Sequence, residues 1–454
     1  MMKKIFCTKQ LITFGIGFLF LIILGNPAHA EEIQLKTNDD LQKAVSRANA
    51  GDTLVLSRGI YHGPVNITKS LTIIGEEGAI IDGGSKGNVI TVKANDVVIS
   101  GVAFQNSGRN KEDSGVYLEK VESNHIEKNK FINVQNGIYI KNGMNHVIDG
   151  NSISSYQGHF STKGNGIHIF KSEGNLIKNN DIKDVQDGIY FDFAKKIKVV
   201  QNKIRNSRYA CHYMFSNDIY TEGNTVEGNV TGFMVMDSSK LQYYHNRVFD
   251  QFDFHGYGIL IYDSKNIILK ENEIIQNSVG LSLEKAENTE IYKNVVAANQ
   301  VGLEFRRDNS NNTFSENNFI ANIVSSTIGK EEIRLDDGER GNYWDDYKSY
   351  DVTGDGIGEI PYKAGSLYDN LLKIQPLWQF YFESPAIIMW SKAESMFPSL
   401  GAVEVYDNKP LTEPVNLAMD KEASSKGNNL FILLLGFAFI GGSLVIIVRG
   451  RKFR

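Results

Sequence analysis

His212 and Met214 alternate along one short apolar run, and Met234 and Met236 repeat the alternation 22 residues later. Imidazole and thioether ligands select soft or borderline metals, and in an exported chain they select Cu(I) above all. Unlike thiolates, thioethers do not pair into disulfides in an oxidising compartment. Three further histidines, His168, His159 and His255, stand where they could join the set. The bland reading of the same residues is apolar surface, because methionine is a common filler at adaptable interfaces.

The elements that would position these side chains are legible as a repeat. Glycine-equivalent positions fall at 115, 137, 166, 188, 210, 232, 258, 280 and 302, with Ala210 the one exception to glycine. Most steps are 22 residues, and an asparagine stands 14 residues after each of the first eight, from Asn129 to Asn294. A double ladder of this kind marks a stacked repeat protein. Short strands with alternating apolar positions, such as Ile138/Ile140 and Ile189/Phe191, predict a right-handed parallel β-helix of about 22 residues per coil. The asparagines read as structural, able to bond their amides along the stack and to accept turn geometry. The first and third residues after each glycine point inward, so Cys211 is a core residue. The second and fourth point outward. On that count His212 stacks on Met234 and Met214 on Met236, about 5 Å apart between coils and about 7 Å along a strand.

Two coils are longer than 22 residues, and both expand between the asparagine and the next glycine. One insertion holds Tyr156 to Phe160 with His159, the other Asp253 to Gly256 with His255. Both predict flaps on the same face, roughly 19 Å apart, with the Met/His patch between them. A sugar-acting enzyme is the alternative, with outward Tyr and Phe to stack the substrate. It needs paired carboxylates, or an acid with Arg or Lys, and Asp192 is the lone outward acid of the central coils. A metal-free docking scaffold is the third reading. Asp351, Thr353, Asp355, Gly356 and Glu359 look like the first half of a calcium loop, but Tyr362 stands where the bidentate acid belongs. An acidic turn is the other reading of that segment. Gly354 and Gly356 lack the strand-to-helix setting of a nucleotide loop.

The ends complete the organisation of the 454-residue chain. Residues 1–30 read as a secretory signal peptide, with Lys3 and Lys4, an apolar run and Ala28-His29-Ala30. Leu41, Ala44, Val45 and Ala48 predict a short helix capping the stack, and residues 31–325 the β-helix. Residues 326–400 predict a C-terminal cap and 401–429 a linker. Residues 430–448 are apolar and long enough for a transmembrane helix, followed by the basic tail 449–454. Positive charge after the span puts the tail in the cytoplasm and the repeat on the extracytoplasmic side of the cell membrane. A net charge of -5 argues against nucleic acid as a partner. Without Cys7 only one cysteine is left, so no internal disulfide forms.

His212 to Ser216, Met236-Asp237-Ser238, Gly341 to Tyr347, Asp351 to Tyr362 and Glu383-Ser384-Pro385-Ala386 together resemble the NosD family. The resemblance covers about residues 35–400. It implies an exported β-helix, not an enzyme, that helps to mature the copper centres of nitrous oxide reductase. It also implies partners: the membrane and ATPase subunits of an ABC transporter, a copper-chaperone lipoprotein and the reductase itself. His212, Met214 and Met236 match the family's pattern, whereas Met234 rests on the repeat. The membrane anchor departs from the many soluble periplasmic relatives.

Overall fold

Strands of three to six residues recur along most of the chain, and nearly all pair in parallel with the strand one coil away. The computed structural model describes residues 30–251, 253, 256–327, 333–364, 378, 381, 384–396 and 405–417. The expected signal peptide (apart from residue 30), transmembrane segment and basic tail lie outside the described residues, as does His255. Among the described residues no helix is long and apolar enough to cross a membrane.

Parallel pairing over such short strands requires a crossover between partners, and here each coil of the chain is its own crossover. The result is a parallel β-solenoid of the right-handed type. One face is a 13-stranded sheet, running from Gly59–His62 to Tyr343–Trp344. The strands that follow the glycines form another face, and a third set turns the remaining corner. In the later coils two of these faces merge into single bent strands, Tyr257–Lys270 and Val279–Tyr292.

The inward residues stack in unbroken columns. Ile138, Ile167, Ile189, Cys211, Phe233 and Ile259 are consecutive register partners, and all are fully buried. Burial pushes the Cys211 thiol up to about 12, so it stays a neutral core group. The glycine column is steric in origin. A Cβ on Gly188 would lie 2.4 Å from Ile204 Cγ2 and 2.5 Å from the Ala210 carbonyl oxygen.

The asparagines are structural and buried. Each backbone N–H donates to the side-chain oxygen of the next asparagine, as Asn129 does to Asn151 at 3.0 Å and Asn202 to Asn224 at 2.8 Å. Asn317 and Asn342 continue the column beyond Asn294. At its end Asn342 N donates to Asp407 Oδ2 at 2.7 Å, and Trp344 Nε1 donates to the same oxygen at 3.0 Å. Burial raises the Asp407 carboxyl to about 6 against the pull of these donors. His146 occupies a second polar column, its ring Nδ1 taking the Asn124 backbone N–H at 3.1 Å and its backbone N–H donating to Asn175 Oδ1 at 2.9 Å.

Both ends of the stack are closed. The helix Leu41–Arg47 begins at Asp40, whose carboxylate caps the Lys43 N–H, and buries Leu41 and Val45. At the other end Ile333–Arg334, Tyr362–Ala364 and Val405–Asp407 form a small sheet. Leu411 bridges to Tyr343, and the Asn318 amide bonds Val415. Residues 405–415 therefore belong with the cap, although their polar, mixed composition reads as linker. The reason is long-range pairing, which composition does not register. In the acidic loop the Asp351 carboxylate accepts from the amides of Gly354 and Gly356 at 2.6 and 2.8 Å. Tyr362 stacks on Trp344 and donates to Asp346. These contacts close the loop on its own backbone, as an acidic turn.

Candidate functional site

The strands Ile167–Phe170, Asp187–Asp192, Tyr209–Met214 and Thr231–Met236 lie side by side in this order. Their register pairs His168 with Tyr190, Tyr190 with His212, and His212 with Met234. One column over, Asp192 pairs with Met214, and Met214 with Met236. The quartet expected from the 22-residue step is thus assembled by the backbone.

The face is not the open trough that alternation alone predicts. His168 is 4% exposed and His212 8%, while Met214, Met234 and Met236 are half-buried. Aromatic stacking closes the column. Tyr139 lies 4.3 Å from the His168 ring, and Tyr190 sits 4.7 Å from both His168 and His212. The first insertion supplies a lip: Lys163, Gly164 and Asn165 line a cavity of about 170 Å³ together with Lys111, Gln135, Asn136, His168, Gln186, Asp187, Tyr190, Arg208 and His212.

Asp187 is the residue that sequence reasoning missed. Its carboxylate is buried and bidentate to Arg208, at 2.9 Å from Nε and 2.7 Å from Nη2. The second of its oxygens also takes the His212 Nδ1 proton at 3.1 Å. Burial opposes ionisation of Asp187, but the hydrogen bonds from His212 and Arg208 prevail and hold its carboxyl below the usual range. Asp192 is thus not the lone acid of this face. The miss has a physical reason: Asp187 stands one residue before the glycine, where strict alternation breaks. A signal existed, because Asp187 and Arg208 are 21 residues apart, a diagonal contact between coils.

The Asp187 bond fixes the His212 tautomer. With its proton on Nδ1, His212 presents a lone pair at Nε2, and that atom is buried without a partner. A carboxylate behind one imidazole nitrogen, with the other nitrogen free, is the arrangement of a metal-ligating histidine. Tyr190 donates its hydroxyl to Met214 Sδ at 3.3 Å, which ties the second strand position to the same cluster. Among the described residues no three His, Cys, Asp or Glu side chains converge on a metal position.

The other expected ligands fare differently. His168 lines the cavity, but its Nδ1 faces the Asn165 amide nitrogen at 3.3 Å, and burial drives its pKa down to about 3. As arranged, its Nε2 carries the proton and offers no lone pair. His159 is exposed at a short turn, where Nδ1 takes the Ser161 N–H and the ring packs on Phe160. It is not among the cavity's lining residues.

A family model described as "Periplasmic copper-binding protein (NosD)" matches residues 75–159 and 150–349. A protein of Pseudomonas aeruginosa named "Probable ABC transporter binding protein NosD" is 27% identical over 385 residues, covering 80% of this chain and 89% of that one. Its namesake in Stutzerimonas stutzeri is 28% identical over 378 residues, covering 78% and 86%. Among solved structures, the catalytic domain of a GH87 alpha-1,3-glucanase superposes with a TM-score of 0.50 at 14% identity, covering 68% of this chain and 67% of that one. That likeness is one of fold alone.

Proposed function

This chain belongs to the NosD family, described as periplasmic copper-binding proteins, and we propose that it holds Cu(I) through His212 Nε2 with Met214, Met234 and Met236. The observation that carries the reading is the Asp187–His212 pair, which leaves a buried imidazole lone pair without a partner in register with Met234. Thioethers and imidazole are the ligand chemistry that favours Cu(I) over harder ions. His168 serves the ring stack and the cavity rather than the metal. Asp187 is committed to Arg208 and His212, so it is not free to pair with Asp192 for sugar chemistry. That supports binding over catalysis.

The finer role follows the family. Copper bound here is cargo for the copper centres of nitrous oxide reductase, received from a copper-chaperone lipoprotein. The chain works beside the membrane and ATPase subunits of an ABC transporter. Relatives named as ABC transporter binding proteins support that association. Residues 430–448 anchor it in the cell membrane, with the solenoid on the extracytoplasmic side.

The test is a Cu(I) titration of the purified full-length chain in detergent, against a competing chelator. Wild type should bind one Cu(I), and His212→Ala with Met236→Ala should lose it. Equal affinity in the double variant overturns the site.

A further inference from the structure

Met214 enters the proposed copper site with its sulfur already engaged. The Tyr190 hydroxyl donates to Met214 Sδ at 3.3 Å. The direction of this bond is fixed, because a thioether accepts and has no proton to give. Tyr190 is itself held from both sides. Its ring lies 4.7 Å from His168 and 4.7 Å from His212, inclined by 25° to the latter. That separation matches the step between coils, so the ring stays at the level of its own coil. The hydroxyl is the fixed point, and the flexible methionine is the partner that comes to it. Register gives the direction of the pull. Tyr190 stands on the coil before Met214, whereas Met234 and Met236 stand on the coil after it. The bond thus draws the Met214 sulfur toward the side of the site opposite the other two thioethers. His212, by contrast, is already turned for a ligand, with its Nε2 unpartnered.

We propose that Tyr190 is a positioning residue that works as a latch on Met214: it holds the sulfur off the metal in the empty site and recaptures it as copper leaves. This rests on the Cu(I) reading above and adds to it a device for release. Copper must break the Tyr190–Met214 bond to gain the third thioether, so the site binds more weakly than its four ligands allow. A hydrogen bond of ordinary net strength corresponds to about a 2- to 10-fold change in an equilibrium. That is small beside the loss of a ligand, which suits a cargo that has to be handed on. The sign of the effect separates a latch from packing. The Tyr190 ring also supports the His212 ring, and a residue that only packed would tighten nothing when trimmed. Tyr190→Phe keeps the ring in the stack and removes the hydroxyl alone.

Cu(I) titration of the full-length chain in detergent, against a competing chelator, tests this in a double-variant cycle. Tyr190→Phe should bind Cu(I) about 2- to 10-fold more tightly than wild type and yield it to the chelator more slowly. In a Met214→Leu background, which has similar volume and no sulfur, Tyr190→Phe should change nothing. A gain that vanishes in the double variant supports the latch. Equal or weaker binding in Tyr190→Phe overturns it, as does a gain that persists without the Met214 sulfur. A wild type that binds no Cu(I) overturns the reading beneath and the latch together. If Tyr190→Phe does not fold, methyl NMR of wild type decides. In the metal-free protein the Met214 methyl, assigned by its absence in Met214→Leu, should show an NOE to a tyrosine ring, and Cu(I) should abolish it. An NOE that survives copper binding overturns the proposal.

Discussion

Asp187→Asn isolates the role of the carboxylate behind His212. The substitution keeps the side chain's size and leaves one oxygen where two accept three hydrogen bonds. If the amide nitrogen takes the place of Oδ2, it meets the Arg208 Nη2–H as donor against donor, and His212 must accept at Nδ1, so that its proton moves to Nε2, where the lone pair is lost. If the nitrogen takes the place of Oδ1, it meets the Arg208 Nε–H as donor against donor. Breaking a buried pair costs about 3–5 kcal/mol, and the lower end applies because the Arg208 side chain is 31% exposed and can rehydrate. Loss of an outer-shell partner to a ligating histidine lowers metal affinity about 10- to 100-fold, or roughly 1.4–2.8 kcal/mol. Cu(I) affinity by chelator competition and stability by urea unfolding measure the two effects separately. His212→Ala should lose more copper affinity and less stability. If Asp187→Asn is folded and binds Cu(I) as tightly as wild type, the tautomer argument fails, and with it the ligand role of His212.

Three further outcomes concern the scaffold. Burial lowers the His146 pKa from 6.5 to about 4, so the native state binds fewer protons than the unfolded chain between these values, and stability falls on acidification through that window. The loss attributable to His146 is about 2 kcal/mol by pH 5 and about 3 below pH 4, and His146→Asn, which continues a column of asparagines, should remove it in urea melts at pH 7 and 5. Asp407 has the opposite sign: raised from 3.8 to about 6, it binds its proton more tightly in the native state, so its contribution improves as pH falls from about 6 to 4. Asp407→Asn places an amide N–H against other donors and should cost about 1–3 kcal/mol at pH 7, while flattening that component of the pH profile. Gly188→Ala puts a Cβ within 2.5 Å of the Ala210 carbonyl oxygen, which cannot swing away, and should destabilise by about 1–3 kcal/mol or more. Wild-type melting of that variant would mean that the coils can spread.

The period of 22 was enough to place residues in register, because parallel coils must align like with like. It gave the inward columns, the structural role of the asparagines and the His212–Met234 and Met214–Met236 neighbours. It also put the first insertion over the right face. It did not give burial on that face, which depends on how Lys163 to Asn165 fold back and on ring stacking through Tyr190. Nor did it give Asp187, since alternation breaks at the glycine. Asp407 was out of reach for a different reason: it meets Asn342 across 65 residues that follow no repeat. His168 shows the limit of residue type as evidence, because its neighbour Asn165, not its identity, decides which nitrogen is protonated.

The asparagine column also has a direction. Each member's backbone N–H donates forward, to an oxygen on the coil that follows, while its side-chain amide also donates back to a carbonyl of the preceding coil. A stack that stopped at one of these asparagines would thus end in a backbone N–H that the next coil meets. The column therefore needs an acceptor at its last coil. Asp407 ends it, since a carboxylate accepts without passing a donor on. The last buried N–H of the column is met by a carboxylate 65 residues further along the same chain rather than by a further coil, so the stack is closed by its own cap.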